Sequence, residues 1–156
     1  IMKVDNDVKL DFNDVLIRPK RSKLSSRQEV AVTRKFKFKN SGQEWEGVPI
    51  MSSNMDTVSS VEMFKALSSR KCITCFHKYI DIGDIIKVIN DNSESGSCKH
   101  DSSYFMLSTG ISDNDFTRLT DNITLLSNNN IKTHFICIDV ANGYMFKLLE
   151  FCKKVR

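Results

Sequence analysis

One stretch of the chain decides its fold: Gly47-Val-Pro-Ile-Met-Ser-Ser-Asn-Met-Asp-Thr57. Its first half is apolar and predicts a short buried strand formed by Val48, Ile50 and Met51. Its second half is a cluster of polar side chains, and the serine pair that follows can cap a helix. A buried strand that delivers polar groups into a loop and then continues as a helix is the unit from which α/β enzymes build their sites.

The same order of strand, polar loop and helix recurs three more times along the chain. The further strands are predicted at Cys72–Phe76, Tyr104–Leu107 and His134–Ile138, and the helices after Ser60, from Ile82, after Ser112 and from Met145. The residues predicted to be buried on the last helix are Leu148, Leu149, Cys152 and Val155. Four such units predict an α/β fold with a parallel sheet and helical crossovers. The pattern leaves open whether the sheet is doubly wound or belongs to an eight-unit (β/α) barrel.

The chain before these units lacks the alternation of strands and helices. Its first residues are polar and irregular, and a run of charge within them is typical of a solvated surface. Apolar and polar residues alternate from Val30 to Phe38, which predicts a half-buried strand, and residues 40–43 then turn the chain. The predicted organisation is an N-terminal arm and β-hairpin over residues 1–46, followed by β/α units over 47–156.

Composition and charge exclude several classes of protein. The 156 residues are 40% hydrophobic and 27% charged, which is typical of a globular chain. The net charge of +4 would favour phosphate-bearing ligands but falls well short of a nucleic-acid-binding protein. No apolar run approaches the ~20 residues of a membrane span, and the first residues lack a secretory signal. We therefore expect a cytoplasmic protein without a membrane partner.

The five cysteines show no paired spacing of the kind that binds metals: Cys72, Cys75, Cys98, Cys137 and Cys152. Four of them lie in apolar segments, where a reduced thiol packs like a small hydrophobic side chain. Burial in a strand would raise the pKa of the Cys72 and Cys75 thiols, so we expect neither to be a catalytic nucleophile. Cys98 lies in a polar insert, Asn90–Ser103, which predicts a flexible surface loop.

Polar side chains follow the end of every predicted strand. They are Ser53, Asn54 and Asp56; His77 and Lys78; Ser108 and Thr109; and Asp139 and Asn142. Parallel strands place their carboxyl ends on one face, so we expect these groups to converge, with Lys78 and Asp139 close together. Simpler roles stay open, since Asp56 would also suit a helix cap and Asp139 with Asn142 a tight turn. Lys78 suits a phosphate or a transferring group, or is simply solvated.

Several motifs, taken in order, resemble the IMP dehydrogenase/GMP reductase family over nearly the whole chain. They are Asp11–Ser22, Gly47–Ile50 with Asn54–Val58, His77–Tyr79, Ser108–Gly110 with Ser112–Asp113, and Ile138–Tyr144. Arg18–Arg21 and Asp139–Tyr144 resemble the reductase branch in particular. The resemblance implies a (β/α)8 TIM barrel, of which this chain supplies the N-terminal arm, the hairpin and the first four β/α units, half of the barrel.

The resemblance also implies an activity. The family's reductase removes ammonia from GMP through a covalent cysteine adduct at the purine C2, and then delivers hydride from NADPH to give IMP in purine salvage. The implied NADPH-binding residues are Ser26 and Arg27, which would reach the cofactor in a neighbouring subunit, together with Lys78, Asp139, Val140 and Ala141. Met55 matches the residue that packs on the purine ring. The full-length enzyme is implied to be a homotetramer that uses a potassium ion.

Much of the family's machinery belongs to later strands and is absent from this sequence. The missing parts are the nucleophilic cysteine, the glycine-rich loop with the potassium site, the residues that hold the GMP phosphate and a late glutamate. We therefore expect a fragment without a catalytic residue or activity of its own. Two alternatives stay open. One is an NAD-dependent oxidoreductase like IMP dehydrogenase, because the serine at position 53 resembles the dehydrogenase branch of the family. The other is a non-catalytic nucleotide-binding or assembly module.

Overall fold

The computed structural model describes residues 3–91 and 100–156. It divides into two units, Ile1–Ala31 and Val32–Arg156. The predicted insert is therefore described only in part, and Cys98 lies outside the described residues. The predicted domains, 1–46 and 47–156, stay a prediction; in the structure the hairpin lies in the same unit as the main sheet.

The first unit is an exposed arm. None of its described residues is buried, and its regular structure there consists of two short 3-10 turns, Phe12–Asp14 and Arg27–Glu29. Side chains at the start of each turn cap it locally: Asp11 accepts a hydrogen bond from the Phe12 backbone, and the Ser26 hydroxyl accepts one from the Gln28 backbone at 3.2 Å. Such contacts reach only one or two residues along the chain.

The second unit begins with an antiparallel hairpin of β1, Arg34–Lys37, and β2, Glu44–Gly47. Gly42 turns the chain between them with a φ of +67°, a left-handed conformation that glycine adopts without steric cost. The first strand is shorter than predicted because β2 pairs with it over only four residues. Val30 and Val32, predicted to face inward, are 50% and 57% exposed.

Four parallel strands form the second sheet, in the order β3-β4-β5-β6. They are β3, Met51–Ser52; β4, Ile73–Phe76; β5, Phe105–Thr109; and β6, Phe135–Ile138. The helices that follow them are α1, Val61–Ser68; α2, Ile82–Asn90; α3, Asp113–Asn128; and α4, Phe146–Val155. This order confirms the predicted parallel sheet with helical crossovers. Within the described residues, none of the helices has the length and apolar character needed to cross a lipid bilayer.

The helix face of the sheet is packed by aromatic rings. Phe64 of α1, Phe76 of β4 and Phe105 of β5 are each fully buried, and their ring centroids lie 5.7 to 5.9 Å apart. Ile85 of α2 and Leu126 of α3 complete this layer without measurable exposure. Buried residues of α1, α2 and α3 therefore form the main core together with those of β4 and β5.

The hairpin covers the opposite face of the sheet. Trp45 of β2 packs against Cys75 and Met106, and its indole nitrogen Nε1 donates a hydrogen bond to the Ser103 carbonyl at 3.0 Å. Because both faces are covered, every residue of β4 and β5 is buried. The helices on one face and the hairpin on the other therefore hold the sheet in place, and the carboxyl ends of its strands remain uncovered by these two layers.

Two elements are less buried than predicted. Ile50 and Met51 are 62% and 58% exposed, because β3 lies at an edge of the sheet and pairs only with β4. On α4 the predicted burial of Leu149 and Cys152 is wrong, since both are exposed. The helix turns Phe151 inward instead, where its ring packs edge-on against Phe116 of α3 at 5.9 Å.

Candidate functional site

A pocket of about 330 Å³ opens where the parallel strands end, and we call it the strand-end pocket. Its lining residues are Asn54, Met55, Asp56, His77, Lys78, Tyr79, Ser108, Thr109, Gly110 and Asp139. They come from the ends of all four parallel strands or the loops that follow them. The predicted convergence of the polar residues is therefore confirmed, except for Ser53 and Asn142, which do not line the pocket.

Asp139 is fixed at the end of β6 by two hydrogen bonds. Its carboxylate oxygen Oδ2 accepts one from the side-chain nitrogen Nδ2 of Asn54 at 2.9 Å. Its backbone nitrogen donates to the carbonyl of Thr109 at 2.8 Å. Asn142 takes the simpler of its two predicted roles, because its side-chain oxygen accepts a hydrogen bond from the Tyr144 backbone at 3.0 Å in a local turn.

Lys78 enters the pocket as a cation. Its Nζ lies 5.2 Å from the centroid of the Tyr79 ring and 3.6 Å from Oδ1 of Asp115. The neighbouring Tyr79 side chain, and next the negative charge of Asp115, raise the pKa of Lys78 above its ordinary value. The ammonium therefore lies beside the pocket with a carboxylate counter-charge 3.6 Å away.

Asp115 lies beside the pocket lysine and was not among the residues predicted from the sequence. It lies at the third position of α3 and forms a capping box with Ser112. The Ser112 hydroxyl donates to Asp115 Oδ2 at 2.6 Å and accepts from the Asp115 backbone nitrogen at 3.1 Å. The Ser112 hydrogen bonds, and also the Lys78 cation, lower the pKa of Asp115. The spacing of Ser112 and Asp115 was the available signal, because it is that of a capping box.

Ser59 ties two of the pocket loops together. Its hydroxyl is fully buried, donates to the Met55 carbonyl at 2.8 Å and accepts from the His77 backbone at 3.1 Å. The expected helix cap is its neighbour Ser60, whose hydroxyl accepts from the Met63 backbone at 3.2 Å. Ser59 thereby holds the loop after β3 against the end of β4, where Met55 and His77 line the pocket.

The described cysteines lie outside the pocket lining. Cys72 and Cys75 are buried, and burial, with a smaller effect of neighbouring Cys137, raises the pKa of Cys75 to about 12. The predicted burial of Cys75 and the rise of its pKa are therefore confirmed, and the expectation that this thiol is not a nucleophile stays a prediction. Cys152 is exposed on α4. Across the described residues, no cluster of three or more His, Cys, Asp or Glu side chains has the arrangement of a metal site.

The remaining predicted cofactor residues are placed as follows. Ser26 and Arg27 are exposed in the first unit, where Ser26 caps the turn that contains Arg27. Val140 is partly buried and Ala141 exposed, and neither belongs to the lining of the strand-end pocket. The structure thus brings Lys78, Asp139 and Met55 to one pocket. The assignment of each of these residues to a ligand stays a prediction.

Comparison with known proteins identifies the family. Residues 9–156 match the IMP dehydrogenase / GMP reductase domain. The chain is 45% identical over 155 residues to GMP reductases of Escherichia coli O81 (strain ED1a) and Shigella flexneri, an alignment that covers 99% of this chain but 42% of each relative. The chain therefore spans less than half the length of these relatives.

A solved structure gives the same answer for the fold. The inosine 5' monophosphate dehydrogenase of Legionella pneumophila superposes with a TM-score of 0.62 over 93% of this chain and 39% of its own, at 24% identity. That likeness, with the four parallel β/α units, confirms the predicted TIM-barrel fold class for the part of the barrel that this chain supplies. The chain belongs to the IMP dehydrogenase / GMP reductase family.

Proposed function

We propose that the chain is the N-terminal part of a GMP reductase, an oxidoreductase that converts GMP to IMP and ammonia with NADPH. The observation that carries the proposal is the 45% identity to GMP reductases over 99% of this chain. The gathering of Lys78, Asp139 and Met55 in one pocket supports it, because the family resemblance assigns these residues to the cofactor and the purine. The motifs Arg18–Arg21 and Asp139–Tyr144, which resemble the reductase branch, favour the reductase over the dehydrogenase alternative.

The chemistry of the pocket fits the two proposed ligands. Lys78 supplies a fixed cation suited to an electron-rich or anionic group of the cofactor. Asn54 and Asp139 supply an amide and a carboxylate that are already oriented by their mutual hydrogen bond. Met55 is 56% exposed and offers a polarizable thioether to a purine ring. NADPH, when bound, supplies the hydride that takes the place of the departing ammonia.

Other assignments in the proposal rest on the resemblance. Val140 and Ala141 would continue the cofactor-binding segment after Asp139, and Ser26 with Arg27 would bind NADPH in a neighbouring subunit. A homotetramer, a cytoplasmic location and a role in purine salvage follow from the same source. The potassium ion of the full-length enzyme would bind at residues outside this sequence.

We assign the nucleophilic cysteine to residues outside this sequence as well. A buried Cys75 with a pKa of about 12 has almost no thiolate at neutral pH, and thiolate is the form that attacks a purine carbon. Cys72 is also a buried strand-side residue outside the pocket lining, and Cys152 is exposed on a helix away from that lining. We therefore expect the chain alone to bind NADPH without turning over GMP.

The test is a titration of the 156-residue chain with NADPH, followed by the fluorescence of the reduced nicotinamide. We expect saturable binding that weakens about tenfold in Lys78→Gln, because a charge-assisted contact is lost. Lys132→Gln, at an exposed lysine between α3 and β6, is the matched control and should bind like the original chain. Absence of NADPH binding, or equal binding by the two variants, would contradict the proposal. Sustained NADPH oxidation on adding GMP would show that the nucleophile lies within this chain.

A further inference from the structure

A carboxylate that does not line the strand-end pocket lies behind the pocket cation. Asp115 Oδ1 is 3.6 Å from Lys78 Nζ, and the Asp115 side chain is only 14% exposed. The other oxygen, Oδ2, accepts hydrogen bonds from the hydroxyl and the backbone nitrogen of Ser112, at 2.6 and 3.1 Å. Ser112 therefore fixes the carboxylate on one side, and the second oxygen stays directed at Lys78.

The chain makes room for this carboxylate at Gly110. A Cβ placed on Gly110 would come within 2.5 Å of Asp115 Oδ2, closer than such atoms approach in proteins. Gly110 itself lines the strand-end pocket. Position 110 therefore carries no side chain that would crowd the Asp115 carboxylate in its present place.

The other charged groups near Lys78 leave Asp115 as its counter-charge. Tyr79 carries a second cation on its ring, because the guanidinium carbon of Arg118 lies 5.1 Å from the ring centroid. That charge repels the Lys78 ammonium and cannot hold it in place. The Asp139 carboxylate is engaged by Asn54. Among the described residues, Asp115 is the carboxylate within 4 Å of Lys78 Nζ.

We propose that Asp115 is a positioning residue that holds the Lys78 ammonium at the pocket. The proposal rests on the proposed function, which assigns Lys78 to NADPH. Asp115 acts through Lys78, and the first turn of α3 fixes its own position through Ser112. When Asp115 is replaced, Lys78 keeps only its contact with Tyr79, so the cofactor meets a less firmly oriented cation although the lysine is still present.

The experiment measures the pKa of Lys78 directly, by NMR of isotope-labelled lysine side chains in the 156-residue chain. We expect Asp115→Asn to lower the pKa of Lys78 and to weaken NADPH binding about two- to fivefold, the range of a partly exposed ion pair. Asp113→Asn is the matched control, because this exposed carboxylate lies in the same helical turn and pairs with Lys154 at 3.9 Å. It should leave Lys78 and NADPH binding unchanged.

Two further variants separate positioning from helix capping and from Tyr79. Ser112→Ala removes the cap but keeps the carboxylate, so it should change the pKa of Lys78 less than Asp115→Asn does. An equal change would overturn the proposal, and so would a Lys78 pKa that falls in Tyr79→Phe but not in Asp115→Asn. If Asp115→Asn does not fold, Lys78→Met leaves the helix cap intact and should raise the pKa of Asp115. An unchanged Asp115 would then overturn the pairing.

These measurements also distinguish this proposal from the proposed function. The pKa of Lys78 is read without any ligand. If Asp115→Asn lowers the pKa of Lys78 but the original chain does not bind NADPH, the positioning role is supported and the function assigned to the pocket is wrong. If it binds NADPH and Asp115→Asn alters neither binding nor Lys78, the positioning role is wrong and the cofactor assignment survives.

Discussion

At the residue scale, Gly110→Ala tests whether the Asp115 carboxylate needs the space beside position 110. We expect Gly110→Ala to lower the free energy of unfolding by about 1 to 3 kcal/mol, because the new Cβ displaces the Asp115 carboxylate from its capping box. Urea unfolding followed by the fluorescence of Trp45 measures the change. Gly143→Ala is the control, since no atom lies within 4 Å of its added Cβ. It should change stability by less than about 0.5 kcal/mol, and equal losses in both variants would contradict the packing argument.

Cys75 gives the chain a pH dependence whose sign is fixed. Its pKa is about 12 in the folded chain, against an ordinary value of 9.0. Between these values the unfolded chain loses the thiol proton and the folded chain keeps it, so stability falls as the pH rises, by up to about 1.4 kcal/mol per pH unit. Below pH 9 the thiol is protonated in both states and contributes no slope.

The measurement compares unfolding free energies between pH 9 and pH 11 in two variants. Cys75→Ala should lose this contribution to the slope, whereas Cys152→Ala, at an exposed thiol, should keep it. The difference between the variants matters, because tyrosines and lysines titrate over the same range. If the unfolding free energies of the two variants changed with pH at the same rate, the pKa of Cys75 would not be raised in the folded chain, which would contradict the prediction.

At the residue scale, the sequence predicted correctly those pocket residues whose location follows from their position at the end of a strand. Lys78 and Asp139 follow the ends of β4 and β6, and parallel strands bring such positions together without further information. Asp115 and Ser59 were missed because their roles depend on contacts across loops that no local pattern specifies. A capping serine and an acidic third residue occur at many helix starts, and only the coordinates show which one reaches a lysine.

Among the elements, α1 contributes to the core mainly through one aromatic ring. Phe64 has no exposed surface and contacts the rings of Phe76 and Phe105. We expect Phe64→Ala to cost about 3 to 5 kcal/mol, because it leaves a cavity in a layer that cannot collapse around it. Thermal or urea unfolding measures the loss.

The neighbouring residue on α1 supplies the control. Met63 is 36% exposed, so Met63→Ala changes the same helix without opening the core. It should cost much less than the loss at position 64. Similar losses for the two variants would indicate that α1 contributes through its helicity and not through the aromatic layer.

The elements whose burial was predicted correctly are those in which the spacing of apolar residues along the element is enough to define the buried face. The apolar repeats of α2 and α3 face the sheet as expected, and Ile85 and Leu126 are fully buried. Burial of β3 depends on neighbours, and an edge strand has a partner on one side only. The apolar residues of α4 spread over more than one face, so periodicity alone did not favour Phe151 over Leu149.

At the scale of the whole molecule, the order of motifs predicted more than their chemistry did. Strand-end motifs in family order identified the barrel, and the family match over residues 9–156 confirms it. The arm, Ile1–Ala31, contributed the motif Asp11–Ser22 to the resemblance, but its described residues are all exposed, so no periodic pattern predicted its structure. Its residues Ser26 and Arg27 are assigned to NADPH by resemblance alone.

The hydrogen bond between Asn54 and Asp139 has a geometric consequence for the sheet. These residues follow β3 and β6, which two other strands separate. Strands ~4.8 Å apart would put those ends about 14 Å from each other in a flat sheet. Asn54 Nδ2 and Asp139 Oδ2 nevertheless lie only 2.9 Å apart. The loop after β3 therefore reaches across the carboxyl ends of β4 and β5 as far as β6, and one hydrogen bond ties together the two outer strands of the sheet.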